Sequence, residues 1–454
     1  MDSKLVNRLK EIVGEERVSL NETVLMNHSK DESYHEPAYP DAVVFPHTTD
    51  EVSAILAYAN EHHIPVVPFG RGTSLEGHVI PYDGGICLDF NEMNKVLEIR
   101  AEDLIVKVQP GVTRTQLNKE LRKYGLFFSV DPGADATLGG MAATNASGTT
   151  AVKYGVMRDQ VRDMEVVLAD GSVIHTGTLA AKSSSGLHLN GLFVGSEGTL
   201  GCITELTLRV YGIPEHEVAG RAVFPSTHDA VLAVTSLIQA SIPIGRVELV
   251  DPDSMRQFNR HSGTAFEEMP TLFLEFHGNQ AGLMQDIQFA TEILNDLGCL
   301  SLEFKEDLAS RNQIWEARHN LAYAYIHSAP GKKLMVTDVC VPISELAVSV
   351  DYTREMLNEM GLIGGIVGHV GDGNFHALLM IDVNNQHEVQ TAKEFSDRIV
   401  RFSLSRGGTS TGEHGIGTGK RQYVMEEHGP ALEVMRSIKK TLDPNNILNP
   451  NKLF

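Results

Sequence analysis

The sequence predicts an α+β chain of two large domains, on three observations. Its 454 residues are about three times the ~150 typical of one domain. From Pro40 to about Tyr211, short β-branched runs are separated by glycine-rich loops. From about Glu217 to Met380 the texture changes: strands such as 271–276 alternate with amphipathic helices such as 281–297. Two textures in one long chain imply two cores.

The elements follow in order. The opening MDSKLVNRLKEIVGEERV spreads its charges on a helical pattern and has no apolar stretch of the kind a secretory signal needs. Thr48 and Glu51 have capping-box spacing, and Val52, Ile55, Leu56 and Ala59 recur on one face, which predicts a helix over 50–62. A strand at 64–67 should follow, then the loop Phe69-Gly-Arg-Gly-Thr-Ser-Leu-Glu-Gly77. After Gly407 the chain returns to Gly, Asn and Pro, and Asp443-Pro-Asn-Asn-Ile-Leu-Asn-Pro450 is turn chemistry throughout. No internal period points to a solenoid.

Composition excludes several classes. Apolar residues make up 42% of the chain, an ordinary globular value. A formal charge of -21 argues against nucleic acid or an anionic membrane surface as partner, since both attract basic patches. Cys87, Cys202, Cys299 and Cys340 lie far apart without CxxC spacing, so neither a disulfide framework nor a thiolate zinc site is indicated. No apolar run reaches the ~18 residues of a membrane span. A reducing, cytoplasmic setting is expected, with any membrane association made through a partner.

Three glycine-rich segments, 70–77, 137–148 and 195–201, would let backbone N–H groups approach a phosphate-bearing ligand. One such cluster is usually a turn; three beside apparent strands favour a large extended ligand. Gly70-Arg-Gly-Thr-Ser-Leu is not GxGxxG, and Gly417-Thr-Gly-Lys-Arg lacks the P-loop's upstream glycine and Ser/Thr. Pro46-His-Thr-Thr-Asp-Glu51 followed by Ile64-Pro-Val-Val-Pro-Phe-Gly-Arg-Gly-Thr-Ser74 resembles the flavin-binding domain of the vanillyl-alcohol oxidase superfamily. Pro132-Gly133, Thr137-Leu-Gly-Gly140, Asn145-Ala-Ser-Gly148, Tyr154-Gly155 and Gly195-Ser-Glu-Gly-Thr-Leu-Gly201 continue the resemblance in the family's order. Within that superfamily the sequence is similar to FAD-dependent D-lactate dehydrogenases and to the large flavin subunit of glycolate oxidase.

The resemblance implies a two-domain flavoprotein with bound FAD. Residues 1–215, with a C-terminal return at 430–454, would form the FAD domain, and 216–429 a substrate cap carrying the metal and catalytic motifs. Gly70, Arg71, Gly72, Thr73 and Ser74 would hold the pyrophosphate, flanked by Pro68 and Gly77. Pro132, Gly133, Thr137, Gly139, Gly140, Asn145, Ser147, Gly148 and Tyr154 would line more of the cofactor. Gly198, Gly201, Ile203 and Asn449 would complete the set. Relatives that tether FAD covalently often carry a histidine in the first loop, where Thr73 and Ser74 stand, with His78 just downstream; non-covalent FAD is implied.

The sharpest chemistry lies in His369-Val-Gly-Asp-Gly-Asn-Phe-His376 and in Gly412-Glu-His-Gly-Ile-Gly417. An apolar strand runs into the first motif and another runs out along 375–380, which predicts two imidazoles on one hairpin. Turn preferences explain any single histidine, but not a whole HxGDGNxH segment. With Glu413 the two imidazoles make a three-ligand set with open positions, suited to Zn²⁺, Mn²⁺ or Fe²⁺. The resemblance agrees, implying a divalent metal on His369, His376 and Glu413 and His414 as base. Asp372 and Asn374 would orient the imidazoles or serve the turn, with Asn374 also expected to contact substrate.

The resemblance also implies a substrate-carboxylate arginine at Arg318, within Ile314-Trp-Glu-Ala-Arg-His319. Family members that oxidise 2-hydroxyglutarate use an additional threonine and lysine, and Ala322 and Val336 stand at those positions. Oxidation of a small 2-hydroxy acid, D-lactate or glycolate, to the 2-oxo acid is therefore expected, ahead of D-2-hydroxyglutarate. A metallohydrolase would leave the glycine loops without work, and a non-catalytic flavin subunit would not need the metal and base set. Quinone, flavoprotein, iron–sulfur protein and oxygen all stand open as electron acceptor, and the motifs do not report on homo-oligomerisation.

Overall fold

The computed structural model describes residues 3–454, apart from the side chains of residues 317 and 319. The chain forms two compact units. The first comprises Met1–Ser147, Gly155–Ile213 and Glu413–Phe454; the second comprises Gly148–Tyr154 and Pro214–Gly412.

In the first unit the expected helix is Thr49–Glu61, its N-terminus capped by Thr48, which accepts from the Glu51 amide. The capping box is only half made. Glu51 instead accepts from the His47 amide at 2.7 Å and pairs with Arg17. The helix connects strand Ala42–Val44 to Val66–Phe69, and both run parallel to Ile86–Asp89 between them. The strand starts at Val66, two residues after the predicted Ile64. A second, antiparallel sheet orders Val96–Arg100, Ile105–Val108, Cys202–Arg209, Val161–Val167 and Val173–His175. Val44, Val66, Ile86 and Leu88 of the first sheet pack with Val167 and Cys202 of the second, so one core joins the sheets.

The second unit is built on an eight-stranded sheet. Its order is Ser301–Lys305, His216–Val223, Thr271–Gly278, Ile244–Val250, Gly364–Gly368, Asn374–Ile381 and Lys333–Val336, with Val339–Cys340 also paired to Asn374–Ile381. Every pair is antiparallel. The predicted strand at 271–276 is Thr271–Gly278 and the predicted helix at 281–297 is Gln280–Asp296, capped by Asn279. Val250, Phe273, Val367 and Met380 of the sheet pack against Met255, Trp315 and Tyr325 of its helices.

The return to the first unit begins at Glu413, where the sequence placed it near 430. The reason is a buried carboxylate. Glu197 accepts from the amides of Ile416 and Gly417 at 2.7 and 2.8 Å, and the Glu76 carbonyl accepts from Thr418 and Gly419. Among the described residues no helix is long and apolar enough to cross a membrane.

Candidate active site

The three glycine-rich loops converge in the first unit. A β-carbon on Gly70 would lie 2.4 Å from Thr137 Oγ1, and one on Gly198 would lie 2.4 Å from Pro68 Cγ, so both must be glycine for the loops to abut. The Gly195 and Glu197 amides donate to Ala142 O and Ala143 O, closing the third loop onto the second. Asn449 Nδ2 donates to His78 O at 3.0 Å and Glu197 O at 2.7 Å, which ties the C-terminal return to the first and third loops.

The predicted cofactor residues divide by what they touch. Gly72 adopts a left-handed φ of 67° and lies over the Phe69 ring, and Gly77 has φ 76°. Arg71 is exposed, Thr73 half-buried, and the Ser74 hydroxyl donates to Asp31 at 2.9 Å, so that stretch offers chiefly backbone. Gly133 and Gly140 are exposed, with nothing within 4 Å of where a β-carbon on Gly133 would stand; Pro132 beside it is half-buried. Gly139 and Gly201 have a nearer explanation: β-carbons there would strike Pro110 and Val166, so they serve packing. Ile203 pairs with Val166 in the sheet, and Asn145, at φ 51°, ends its helix and accepts from the Arg158 amide. Gly148 and Tyr154 belong to the second unit. A cradle of approachable backbone bounded by fixed loops fits an extended dinucleotide such as FAD.

His78 lies buried with Nε2 3.3 Å from Glu197 Oε1. Burial opposes its charge, but the neighbouring Glu197, Glu76 and Asp31 outweigh burial and hold its pKa above the ordinary value. Ser147 donates to Glu413 Oε2 at 2.6 Å, so the hydroxyl predicted to face the cofactor steadies that carboxylate instead. His414 follows it, largely buried.

In the second unit the predicted hairpin is present: Gly364–Gly368 pairs with Asn374–Ile381, placing Val367 opposite His376, and His369 directly follows the first strand. Each imidazole offers a nitrogen, the two within 4.8 Å of one another, and the rings meet edge to face. Both are oriented from behind. His376 Nδ1 donates to Thr337 O at 3.0 Å, and His369 Nδ1 contacts Glu248 Oε1 at 2.6 Å. Both contacts assign the proton to Nδ1 and leave Nε2 as the lone-pair nitrogen, the arrangement seen behind metal-ligating histidines. The donor set fits a divalent cation.

Two acids that the sequence reading did not select stand beside this pair. Asp338 lies 3.6 Å from His376 Nδ1, and accepts from Asn374 Nδ2 and Thr411 Oγ1, each at 2.7 Å. Asn374 therefore holds Asp338, while its own Oδ1 is buried without a partner. Asp372 is exposed and accepts from the Asn374 amide at 3.4 Å, a turn contact. Glu248, fully buried on the central strand Ile244–Val250, also binds Arg318 Nε at 2.7 Å. Burial would raise its pKa, but His369 and Arg318 outweigh it and keep the carboxylate ionised. Glu248 had no sequence signal beyond being a lone acid in an apolar run. Tyr154 OH meets His277 Nδ1 at 3.1 Å, and His277 Nε2 meets buried Glu275 at 2.7 Å, which fixes the phenol.

Comparison with known proteins settles the family. Residues 213–453 match the model of FAD linked oxidases, C-terminal domain, and residues 40–177 match the FAD binding domain. The chain belongs to the FAD-linked oxidases. It is 46% identical to the probable mitochondrial D-lactate dehydrogenase of Danio rerio over 99% of this chain and 92% of that one. It is 34% identical to the glycolate oxidase subunit GlcD of Bacillus subtilis (strain 168), over 94% and 92% of the two chains. The solved structure of p-cresol methylhydroxylase with substrate bound shares the fold at a TM-score of 0.82 and 20% identity, covering 99% of this chain and 96% of that one. This FAD-linked oxidase is thus an oxidoreductase of the vanillyl-alcohol oxidase type, with the α+β fold the sequence predicted.

Proposed function

We propose that this flavoenzyme oxidises a small D-2-hydroxy acid, D-lactate or glycolate, to the 2-oxo acid. One observation carries the reading furthest: a flavoprotein chain holds two imidazoles on one hairpin, each bonded from behind through Nδ1 and each offering a nitrogen within 4.8 Å of the other. The names of its Danio rerio and Bacillus subtilis relatives support the substrate class. Val336 and Ala322 supply no cation for a second carboxylate, which favours a monocarboxylate over D-2-hydroxyglutarate.

His369 Nε2, His376 Nε2 and Glu413 would hold a divalent ion, Zn²⁺, Mn²⁺ or Fe²⁺, which supplies Lewis acidity to the substrate hydroxyl. Bound FAD, held non-covalently, supplies the hydride acceptor that side chains cannot. Thr337 O and Glu248 keep the two rings in the ligating tautomer, and Ser147 orients the Glu413 carboxylate. Arg318 spends Nε on Glu248, which leaves its terminal nitrogens to grip the substrate carboxylate. His414 takes the hydroxyl proton as general base. Asn374 offers its unpartnered Oδ1 to the substrate.

The FAD-binding match removes the ground for a metallohydrolase. The cytoplasmic assignment draws no support from the Danio rerio relative, whose name places that protein in mitochondria. Anaerobic mixing with a panel of 2-hydroxy acids tests the function directly. D-lactate or glycolate should bleach the yellow flavin fastest; faster bleaching by D-2-hydroxyglutarate, or none by any acid, overturns the assignment.

A further inference from the structure

We propose that Glu248 is a positioning residue that couples substrate anchoring to metal binding, because one carboxylate holds both Arg318 and His369. The proposal rests on the functional reading above, in which Arg318 grips the substrate and His369 ligates the metal.

Glu248 is 0% exposed and divides its oxygens cleanly: Oε1 lies 2.6 Å from His369 Nδ1, and Oε2 lies 2.7 Å from Arg318 Nε. Its place is set by the sheet. On the same strand Leu249 pairs with Gly368 and Val250 with Val367, which brings Glu248 alongside the residue after that strand, His369. Arg318 arrives from the helix Leu308–His319, whose Trp315 and Ile314 pack in the same core as Val250. Neither partner can shift without drawing on the same buried group.

A structural role alone explains the arrangement poorly. Burying an ion pair is weak evidence for stability, since the desolvation of both charges offsets most of their attraction. Charge-assisted bonds, by contrast, fix direction strongly. The bond to Nδ1 sets the tautomer and the ring plane of His369. The bond to Nε sets the plane of the Arg318 guanidinium. Disturbing the carboxylate should therefore move two measurable quantities together, metal affinity and substrate KM, while a residue that only supports the fold would move neither in the folded protein.

Glu248→Gln tests this, because the amide keeps the shape but replaces one acceptor oxygen with an N–H donor facing either Nδ1–H or Nε–H. The metal-free protein is titrated with Zn²⁺ against a competing chelator, and KM and kcat for D-lactate are measured at saturating metal. The expected result is a metal Kd weakened about 10- to 100-fold, as for other residues that orient a ligating histidine, with KM raised by a larger factor than kcat falls. Wild-type Kd and KM in a folded Glu248→Gln protein, even with a lowered melting temperature, overturn the proposal. Should that variant not fold, Glu248→Asp keeps the charge on a shorter stem that cannot reach both partners. At least one of the two quantities should then shift, and wild-type values for both overturn it. The wild-type controls separate the two ideas: if wild type neither binds Zn²⁺ nor is reduced by D-lactate, the functional reading fails first.

Discussion

His414 is the residue on which the proposed chemistry turns, and its neighbours give it a testable place. It follows Glu413, whose carboxylate is steadied by Ser147, and precedes Gly415, whose absent β-carbon leaves room for His78 and Glu197. A base that acts only on the substrate hydroxyl should affect the proton transfer and little else. His414→Gln is expected to lower the rate of flavin reduction by D-lactate about 10²- to 10⁴-fold, with FAD content unchanged. An equal rate in single-turnover mixing would remove His414 from the mechanism. A second histidine makes a pH prediction. His28 Nε2 meets Asp89 Oδ2 at 2.8 Å, and Asp89 Oδ1 accepts from Asn91, which in turn donates to Gly70 O at 2.6 Å, so this network reaches the first glycine loop. Burial opposes a charge on His28, but the bonds to Asp89 and to the Val24 carbonyl outweigh it and raise its pKa above 6.5. A raised base stabilises the fold fully below about 6.5, and that contribution fades as pH climbs through the folded value. The gap in urea midpoint between wild type and His28→Gln should therefore be wider at low pH than at alkaline pH; a constant gap would show that the pair does not titrate this way.

At the scale of elements, the sequence was legible wherever a local pattern decides the structure. Val52, Ile55, Leu56 and Ala59 give a helix its buried stripe, and all four are fully buried in Thr49–Glu61. The hairpin between His369 and His376 was readable for a similar reason, since two apolar runs flank a Gly-Asp-Gly turn. Long-range pairings were not legible. Nothing near Glu197 in sequence reveals that its carboxylate will cap the amides of Ile416 and Gly417, and nothing near Glu248 reveals Arg318. Gly139 and Gly201 mislead for a related reason: glycine marks a close approach, and the sequence does not say whether a ligand or Pro110 and Val166 is what approaches. Gly373 makes the turn itself a target. It has φ 88°, and a β-carbon there would lie 2.1 Å from Val341 O, a backbone atom held by the Gly373 neighbourhood of the sheet. Gly373→Ala should cost about 1–3 kcal/mol for the left-handed backbone alone and should displace His376 from His369. Metal content by elemental analysis should fall with the melting temperature; retained metal at wild-type stability would mean the turn relaxes freely.

The whole molecule depends on a chain that leaves its first unit and comes back. Glu413–Phe454 rejoins residues laid down some way earlier, packing Ile447 and Leu448 into the first unit's core and adding a set of buried polar bonds. Lys439 donates to Thr199 O and Leu448 O at 2.8 Å, Asp443 accepts from the Ile447 and Leu448 amides, and the Asn449 amide donates to Val66 O. Lys452, 2% exposed, donates to Ile80 O at 2.8 Å and has its pKa pulled by burial down to about 8. Each bond replaces water on a buried carbonyl, so losing the tail would strand several acceptors at once, and a stranded buried group costs about 1–3 kcal/mol. The groups that residues 449–454 alone satisfy, Val66 O, His78 O and Glu197 O, belong to the strand and loops proposed to cradle FAD. Deleting residues 449–454 should therefore release the flavin before it disrupts the second unit, whose eight-stranded sheet carries its own core. Gel filtration of the truncated protein should yield a colourless species that keeps substantial circular dichroism. Yellow protein at full FAD occupancy would show instead that the loops hold their shape without the returning tail.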